Sequence, residues 1–207
     1  MKFSDFIFPN KLATELGWWL NNSTTVHSPL CFYGLPGSGK TTFARFISKS
    51  KSGNENILYQ DMNSFKTHGD NFSKLLKRIN QFASTFSLFS DDEDWNKVII
   101  LDEFHNLNEI QQDAFKVSFE NWNDNGVQII ICLNITVTKP IDFVLSKAIK
   151  SRCECINFNY TSAYTDEMVT KVSKKYPNLK KEDIRCWLPD LRRIDREAKL
   201  SYGGRND

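Results

Sequence analysis

The chain has 207 residues, 40% hydrophobic and 25% charged, with net charge +2 and a pI near 8.2. Such a chain has room for one α/β domain and a small appendage, and its charge neither demands nor excludes nucleic acid. The longest unbroken apolar run, Ile129 to Leu133, is too short to span a membrane, and an early acid (Asp5) without a small-residue cleavage site excludes a signal peptide.

An intracellular protein is expected, cytoplasmic or nucleoid-associated in a prokaryotic or viral setting. The five cysteines form no zinc-ligand spacing and no disulfide framework.

In chain order, Phe6-Ile7-Phe8-Pro9 reads as an extended apolar segment, followed by a helix over 11–21 that carries Trp18 and Trp19. Both Trp and the many Phe are read as core. Leu30 to Tyr33 reads as a buried strand, Thr42 to Ser48 as a helix, and Ile57 to Tyr59 as a second strand. Apolar residues at helical spacing mark a helix over Phe72 to Phe86. Asp91 to Asp94 reads as a solvated acidic loop. Val98 to Leu101 and Val127 to Leu133 are continuous apolar runs, typical of parallel strands covered on both faces, with a helix over Ile110 to Trp122 between them. This alternation predicts a doubly wound parallel α/β sheet. After Phe158 three helices are expected, Thr161 to Tyr176, Lys181 to Leu188 and Asp190 to Leu200, with no strand among them. The division is a base over 1–159 and a helical lid over 160–207.

Between the first strand and its helix lies Gly34-Leu35-Pro36-Gly37-Ser38-Gly39-Lys40-Thr41, a full match to the P-loop pattern. Its glycines let backbone N–H groups point at a polyphosphate, with the helix N-terminus adding positive dipole. Lys40 is expected to reach the β- and γ-phosphates of ATP, Thr41 to hold Mg²⁺, and Thr42 to extend the cradle. Sixty-one residues past Thr41, the strand Val98 to Leu101 ends in Asp102 and Glu103. Asp102 is expected to orient the Mg²⁺ and Glu103 to polarise the attacking water. Asn134, at the end of the next strand, is a candidate to contact the γ-phosphate. His27, His68 and His105 are isolated, without ligand spacing, and none is assigned a role.

These residues resemble an AAA+ ATPase of the sliding-clamp-loader branch, the replication factor C small subunits and their phage counterparts. The resemblance runs through Cys31 to Thr42, then Asp102 to Asn123, where Asp102, Glu103, Leu107, Gln112, Ala114 and Glu120 match, with Phe104 and His105 where Ala and Asp are usual. It continues through Asn134 (sensor 1), Ser151-Arg152-Cys153, Phe158, and Pro189 to Arg193 (the sensor 2 helix start). It implies an Mg²⁺-dependent ATPase that assembles with other AAA+ subunits and uses ATP to load a ring protein on DNA in replication. It further implies that Arg152 is an arginine finger for a neighbouring subunit, that Arg192 is the lid arginine touching nucleotide, and that the segment Phe6 to Pro9 lies by the adenine, with Phe8 and Pro9 as its binding candidates. Gln112 and Lys116 correspond to residues that sense or face DNA. Val117, where a second basic residue is common, and Glu109 weaken the expected grip on DNA; Ala148 replaces a usual Pro. The family's collar, which normally follows the lid, has no counterpart in this sequence, so assembly is expected to rest on ATPase-domain contacts or a partner. Two other readings stay open: a helicase- or initiator-loading adaptor that uses ATP as a switch, and a structural subunit that donates Arg152.

Overall fold

Five strands lie parallel, in the order β2-β3-β4-β1-β5. The computed structural model describes residues 1–22, 28–52, 56–65, 72–85, 95, 97–136, 138–159 and 162–203. In chain order the elements are α1 (Asn10–Asn22), β1 (Leu30–Gly34), α2 (Lys40–Ser52), β2 (Ile57–Asp61), α3 (Phe72–Ser84), β3 (Lys97–Asp102), α4 (Glu109–Asp124) and β4 (Val127–Asn134). Then come the single-turn helices α5 (Ile141–Val144) and α6 (Lys147–Lys150), β5 (Glu154–Asn157), α7 (Thr165–Lys175), α8 (Lys181–Trp187) and α9 (Leu191–Gly203). Among the described residues no helix is long and apolar enough to cross a membrane.

The continuous apolar runs are explained by the core, which lies on both faces of the sheet. Cys31, Ile99, Leu101, Ile129, Ile131 and Leu133 pack one way, against α3 and α4. Leu30, Phe32, Val98, Ile100, Ile130 and Cys132 pack the other way, against α1 and α2. Phe43 of α2 centres an aromatic cluster, with ring centroids 5.5–6.2 Å from Phe3, Phe6, Phe8, Phe32, Phe46 and Phe158. Truncating so buried a ring costs about 3–5 kcal/mol in typical cores. The cluster seats the N-terminal segment: Phe6 and Phe8 face the sheet-side core, while Ile7 between them packs against the C-terminal helices.

Helix α4 starts where Asn108 and Gln111 form a reciprocal capping box, with bonds of 2.9 and 3.0 Å. The C-terminal helices have their own small core of Val169, Val172, Ile184 and Ile194. Helix α7 is tied to the N-terminal segment: Lys171 Nζ donates to Phe8 O (2.7 Å) and Asn10 Oδ1 (2.8 Å), and Asn10 N–H donates to Glu167 Oε1 (2.7 Å).

Four expectations change. Strand β5 was not anticipated; it pairs with β1 through Cys31 opposite Cys155, and its exposed–half-buried–buried–exposed pattern is that of a sheet edge. Trp18 is 50% exposed rather than core, because it lies on the outer side of α1 while Trp19 points inward. Helix α2 runs from Lys40 through Ser52, one turn past the Ser48 end expected for it. The segment from residue 162 begins with a 3-10 turn, Ser162–Tyr164, before α7. The acidic run Asp91 to Asp94, His27, His68 and Phe86 lie outside the described residues.

Candidate active site

The carboxyl ends of β1, β3 and β4 lie side by side, with Gly34 opposite Asn134 and Leu101 opposite Ile131 in the register. In open parallel sheets ligands bind off these ends where the strand order reverses, and here β1 sits between β4 and β5. A cavity of about 970 Å³ opens there, lined among others by Gly37, Gly39, Lys40, Thr41, Thr42, Asp102, Glu103 and Asn134. Arg192 lines it from α9. The sequence motifs from three separate strands therefore meet in one place.

Lys40 is folded back on its own loop. Its Nζ donates to Gly34 O (3.0 Å), Leu35 O (2.8 Å) and Ser38 Oγ (3.2 Å). Burial pushes its ammonium down to about 8, against the pull of the Glu103 and Asp102 carboxylates. Three donors spent on loop oxygens are available to exchange for phosphate oxygens. Leu35 N–H is held by Asn159 Oδ1 at 2.7 Å, which anchors the loop to the chain after β5, and Pro36 is exposed at the tip.

Asp102 is a hub. Its Oδ1 accepts from Thr41 Oγ1 (3.1 Å) and from the N–H of Glu103 (2.9 Å), and its Oδ2 accepts from Tyr59 OH (2.7 Å). Arg45 lies over the Tyr59 ring, 4.0 Å from its centroid. Burial and the bond to Asp102 raise the Tyr59 phenol to about 12, so it remains a donor. The oxygens of Thr41 and Asp102 are a hard donor set. Among the described residues no group of three His, Cys, Asp or Glu side chains is placed to hold a metal alone. One or two protein oxygens completed by phosphate and water is what Mg²⁺ takes, so these residues fit it.

Glu103 occupies a left-handed backbone conformation (φ 54°, ψ 35°), costly for a residue with a side chain. Its carboxylate accepts from Asn134 Nδ2 at 3.0 Å to each oxygen, and His105 Nε2 lies 3.4 Å from Oε2. Burial, then the Asp102 charge, raises its pKa, and the Asn134 bond opposes them. His105, given no role in the sequence, also accepts the backbone N–H of Asn134 at Nδ1 (3.2 Å).

The C-terminal helices close directly onto the P-loop. Gly37 has φ 81°, and a Cβ built on it would lie 2.4 Å from Asp190 Oδ1. Leu191 N–H donates to Gly37 O at 3.2 Å. Asp190 Oδ1 also accepts Arg193 N–H (3.1 Å), capping the helix that carries Arg192. An apolar arm of the cavity runs between Phe6, Ile7, Phe8, Tyr176, Leu191 and Ile194. Of the segment Phe6 to Pro9 expected by the adenine, Phe6, Ile7 and Phe8 line the cavity, whereas Pro9 is buried just before α1 and does not.

Besides Pro9 and the loop residues Gly34, Leu35, Pro36 and Ser38, the cavity lining also lacks Arg152, Gln112 and Lys116. Arg152 is paired with Glu120 Oε1 (2.8 Å) and Ala148 O (2.9 Å) within its own chain. Gln112 is buried, and its amide is spent on Leu107 O (2.9 Å), Val144 O (3.0 Å) and Ser146 N–H (2.8 Å), which brackets α4 to α5 and α6. It offers no exposed group to DNA, so any link to DNA runs through those neighbours. Lys116 is exposed on α4. Tyr59, Arg45 and His105 are residues of this region to which no role was assigned from sequence, and Asp190, although inside the Pro189 to Arg193 motif, was given none either. The nearest signal was a phenol inside the short apolar strand Ile57-Leu58-Tyr59.

The family model described as "ATPase family associated with various cellular activities (AAA)" matches residues 30–159. A probable replication factor C subunit 5 from Dictyostelium discoideum is 28% identical over 75% of this chain and 42% of its own length. Replication factor C small subunit 1 of Pyrobaculum islandicum is 31% identical over 76% and 44%, and the Holliday junction branch migration subunit RuvB of Mycoplasmopsis pulmonis 29% identical over 84% and 55%. The chain thus spans about half the length of the curated relatives it matches. AMPPCP-bound DnaA from Aquifex aeolicus shares the fold, with TM-score 0.65 and 19% identity over 96% of this chain and 64% of that one. With the parallel sheet and the clamp-loader relatives in agreement, the chain belongs to the AAA+ family of ATPases and is clamp-loader-like.

Proposed function

We propose that this chain binds and hydrolyses ATP as one subunit of a clamp-loader-type assembly, with a base to about residue 159 and a lid behind it. The observation that carries this reading is the meeting of Lys40, Thr41, Asp102, Glu103 and Asn134 in one cavity, while Arg152 lies outside it. A complete hydrolytic set with its arginine elsewhere is the layout of a site finished by a neighbour.

ATP would lay its adenine in the apolar arm by Phe6, Phe8 and Tyr176 and its phosphates over Gly34 to Thr42. Lys40 trades its loop oxygens for phosphate oxygens, and the arriving negative charge favours its ammonium form. Thr41 and Asp102 would hold Mg²⁺, which would neutralise phosphate charge, and Tyr59 fixes the Asp102 carboxylate for that task. Glu103 takes a proton from the attacking water, and Asn134 turns its amide to the γ-phosphate. Arg192 reads the same phosphate from the lid. Arg152 leaves Glu120 and stabilises the developing charge in the adjacent subunit's site, a contribution of roughly 10³–10⁵ in rate. Head-to-tail contacts of this kind build rings or open spirals, and the likeness to replication factor C subunits supports DNA and a ring protein as the partners. Lys116 is the candidate DNA contact on α4.

Steady-state ATP turnover per subunit, measured against protein concentration with and without primed DNA, tests this reading. Turnover that rises with concentration and again with DNA supports it. Turnover that is flat under both favours a switch-like adaptor.

A further inference from the structure

His105 stands two residues beyond Glu103, where the clamp-loader pattern has Asp. Its Nδ1 accepts the backbone N–H of Asn134. A nitrogen that accepts from an N–H carries no hydrogen itself, so the neutral ring bears its hydrogen on Nε2. That Nε2 is the atom 3.4 Å from Glu103 Oε2. Asn134 Nδ2 completes the ring by bonding both Glu103 oxygens. Three residues are thus closed on one another across the ends of β3 and β4, two links running through side chains and one through the Asn134 backbone.

The arrangement asks two things of one amide. Asn134 is engaged with Glu103 here, yet its place at the cavity wall also suits the γ-phosphate. When it turns away, Glu103 loses its closest partner while it sits in a strained backbone conformation beside the like charge of Asp102. His105 is the remaining group at its carboxylate, and the backbone bond to Asn134 keeps the imidazole in place even as the Asn134 side chain rotates. Resting on the reading of Glu103 as general base, we propose that His105 is a positioning residue for hydrolysis: its Nε2–H holds the Glu103 carboxylate in line when Asn134 engages the γ-phosphate.

The test separates the two ring nitrogens. In His105→Asn, the amide oxygen takes the place of Nδ1 and nothing replaces Nε2. In His105→Gln, the longer amide reaches the Nε2 position. For the assembled full chain, His105→Asn is expected to keep KM for ATP within about twofold and to lose roughly tenfold in kcat, a fraction of the 10²–10⁴ a positioned base contributes. His105→Gln is expected to recover most of that loss. Wild-type kcat in His105→Asn, equal losses in both variants, or a rise in KM alone would overturn the proposal. Should His105→Asn fail to fold, long-range ¹H–¹⁵N spectra of the native protein decide: an Nε2–H tautomer supports the proposal, and an Nδ1–H tautomer overturns it. Glu103→Gln runs alongside. If it hydrolyses ATP at the wild-type rate, the general-base reading falls. If it is inactive while His105→Asn is fully active, only the proposal about His105 falls.

Discussion

The side-chain amide of Asn134 donates to both carboxylate oxygens of Glu103, at 3.0 Å each, across the gap between two parallel strands. The residue expected to sense the γ-phosphate therefore also restrains the residue expected to activate water. Glu103→Gln removes the base while leaving Lys40 and Thr41 intact. It should bind a fluorescent ATP analogue with unchanged affinity and lose roughly a hundredfold or more in kcat. A fall in binding equal to the fall in rate would show that Glu103 serves the cradle instead.

Tyr59 reaches the opposite oxygen of the neighbouring carboxylate, 2.7 Å from Asp102 Oδ2. Tyr59→Phe removes one hydrogen bond to a charged acceptor, worth about 1.5–3 kcal/mol at most. The Mg²⁺ concentration that half-saturates nucleotide binding should rise several-fold, with little change in affinity measured without Mg²⁺. Titration of fluorescent ADP with Mg²⁺ checks it. An unchanged Mg²⁺ requirement would reduce Tyr59 to a packing role.

Gly37 has both a positive φ and a carboxylate where its Cβ would be. Gly37→Ala should therefore cost about 1–3 kcal/mol and push the start of α9 off the P-loop. Nucleotide affinity should fall with it, because Arg192 rides on that helix. Adding Asp190→Gly removes the carboxylate, but it leaves the residue-190 Cα 2.9 Å from the new Cβ and the backbone strain in place, and it strips the cap of α9, so the double variant should recover little of the lost affinity. Thermal melts and nucleotide titrations of both variants test this.

The tie between α7 and the N-terminal segment carries a pH signature. Burial pulls the Glu167 carboxyl up, but its bonds to Lys171 and to the Asn10 N–H win and hold it below its ordinary 4.5. The folded protein therefore releases this proton more readily than the unfolded chain. The stability that this contributes is present above pH 4.5 and is lost as pH falls through the lower folded value. Glu167→Gln should flatten that part of the melting-temperature profile by lowering the neutral plateau toward the acid value, and only slightly, since the pair is partly exposed.

The P-loop and the Asp102-Glu103 pair were legible because each is a contiguous motif at the end of an apolar run. The sheet was legible because β3 and β4, buried on both faces, are apolar along nearly their whole length, with Gln128 the one polar residue inside the β4 run. Tyr59 and His105 were not, because what makes them site residues lies 43 and 29 positions away, at Asp102 and Asn134. Strand β5 hid for a different reason. Glu154-Cys155-Ile156-Asn157 is a sheet edge, with both end residues in solvent, and so lacks the apolar continuity of β3 and β4. Trp18 was misplaced because Trp18 and Trp19 are adjacent in a helix, where neighbours point about 100° apart.

The central claim is that Arg152 of one subunit completes the ATP site of another. Arg152→Ala keeps Lys40 and Glu103 but lacks the finger, whereas Lys40→Ala keeps the finger but lacks the cradle. Each alone should be nearly inactive. Mixed in equal amounts at assembling concentration, they should hydrolyse ATP well above the sum of their separate rates. A mixture that stays at that sum would contradict the shared site.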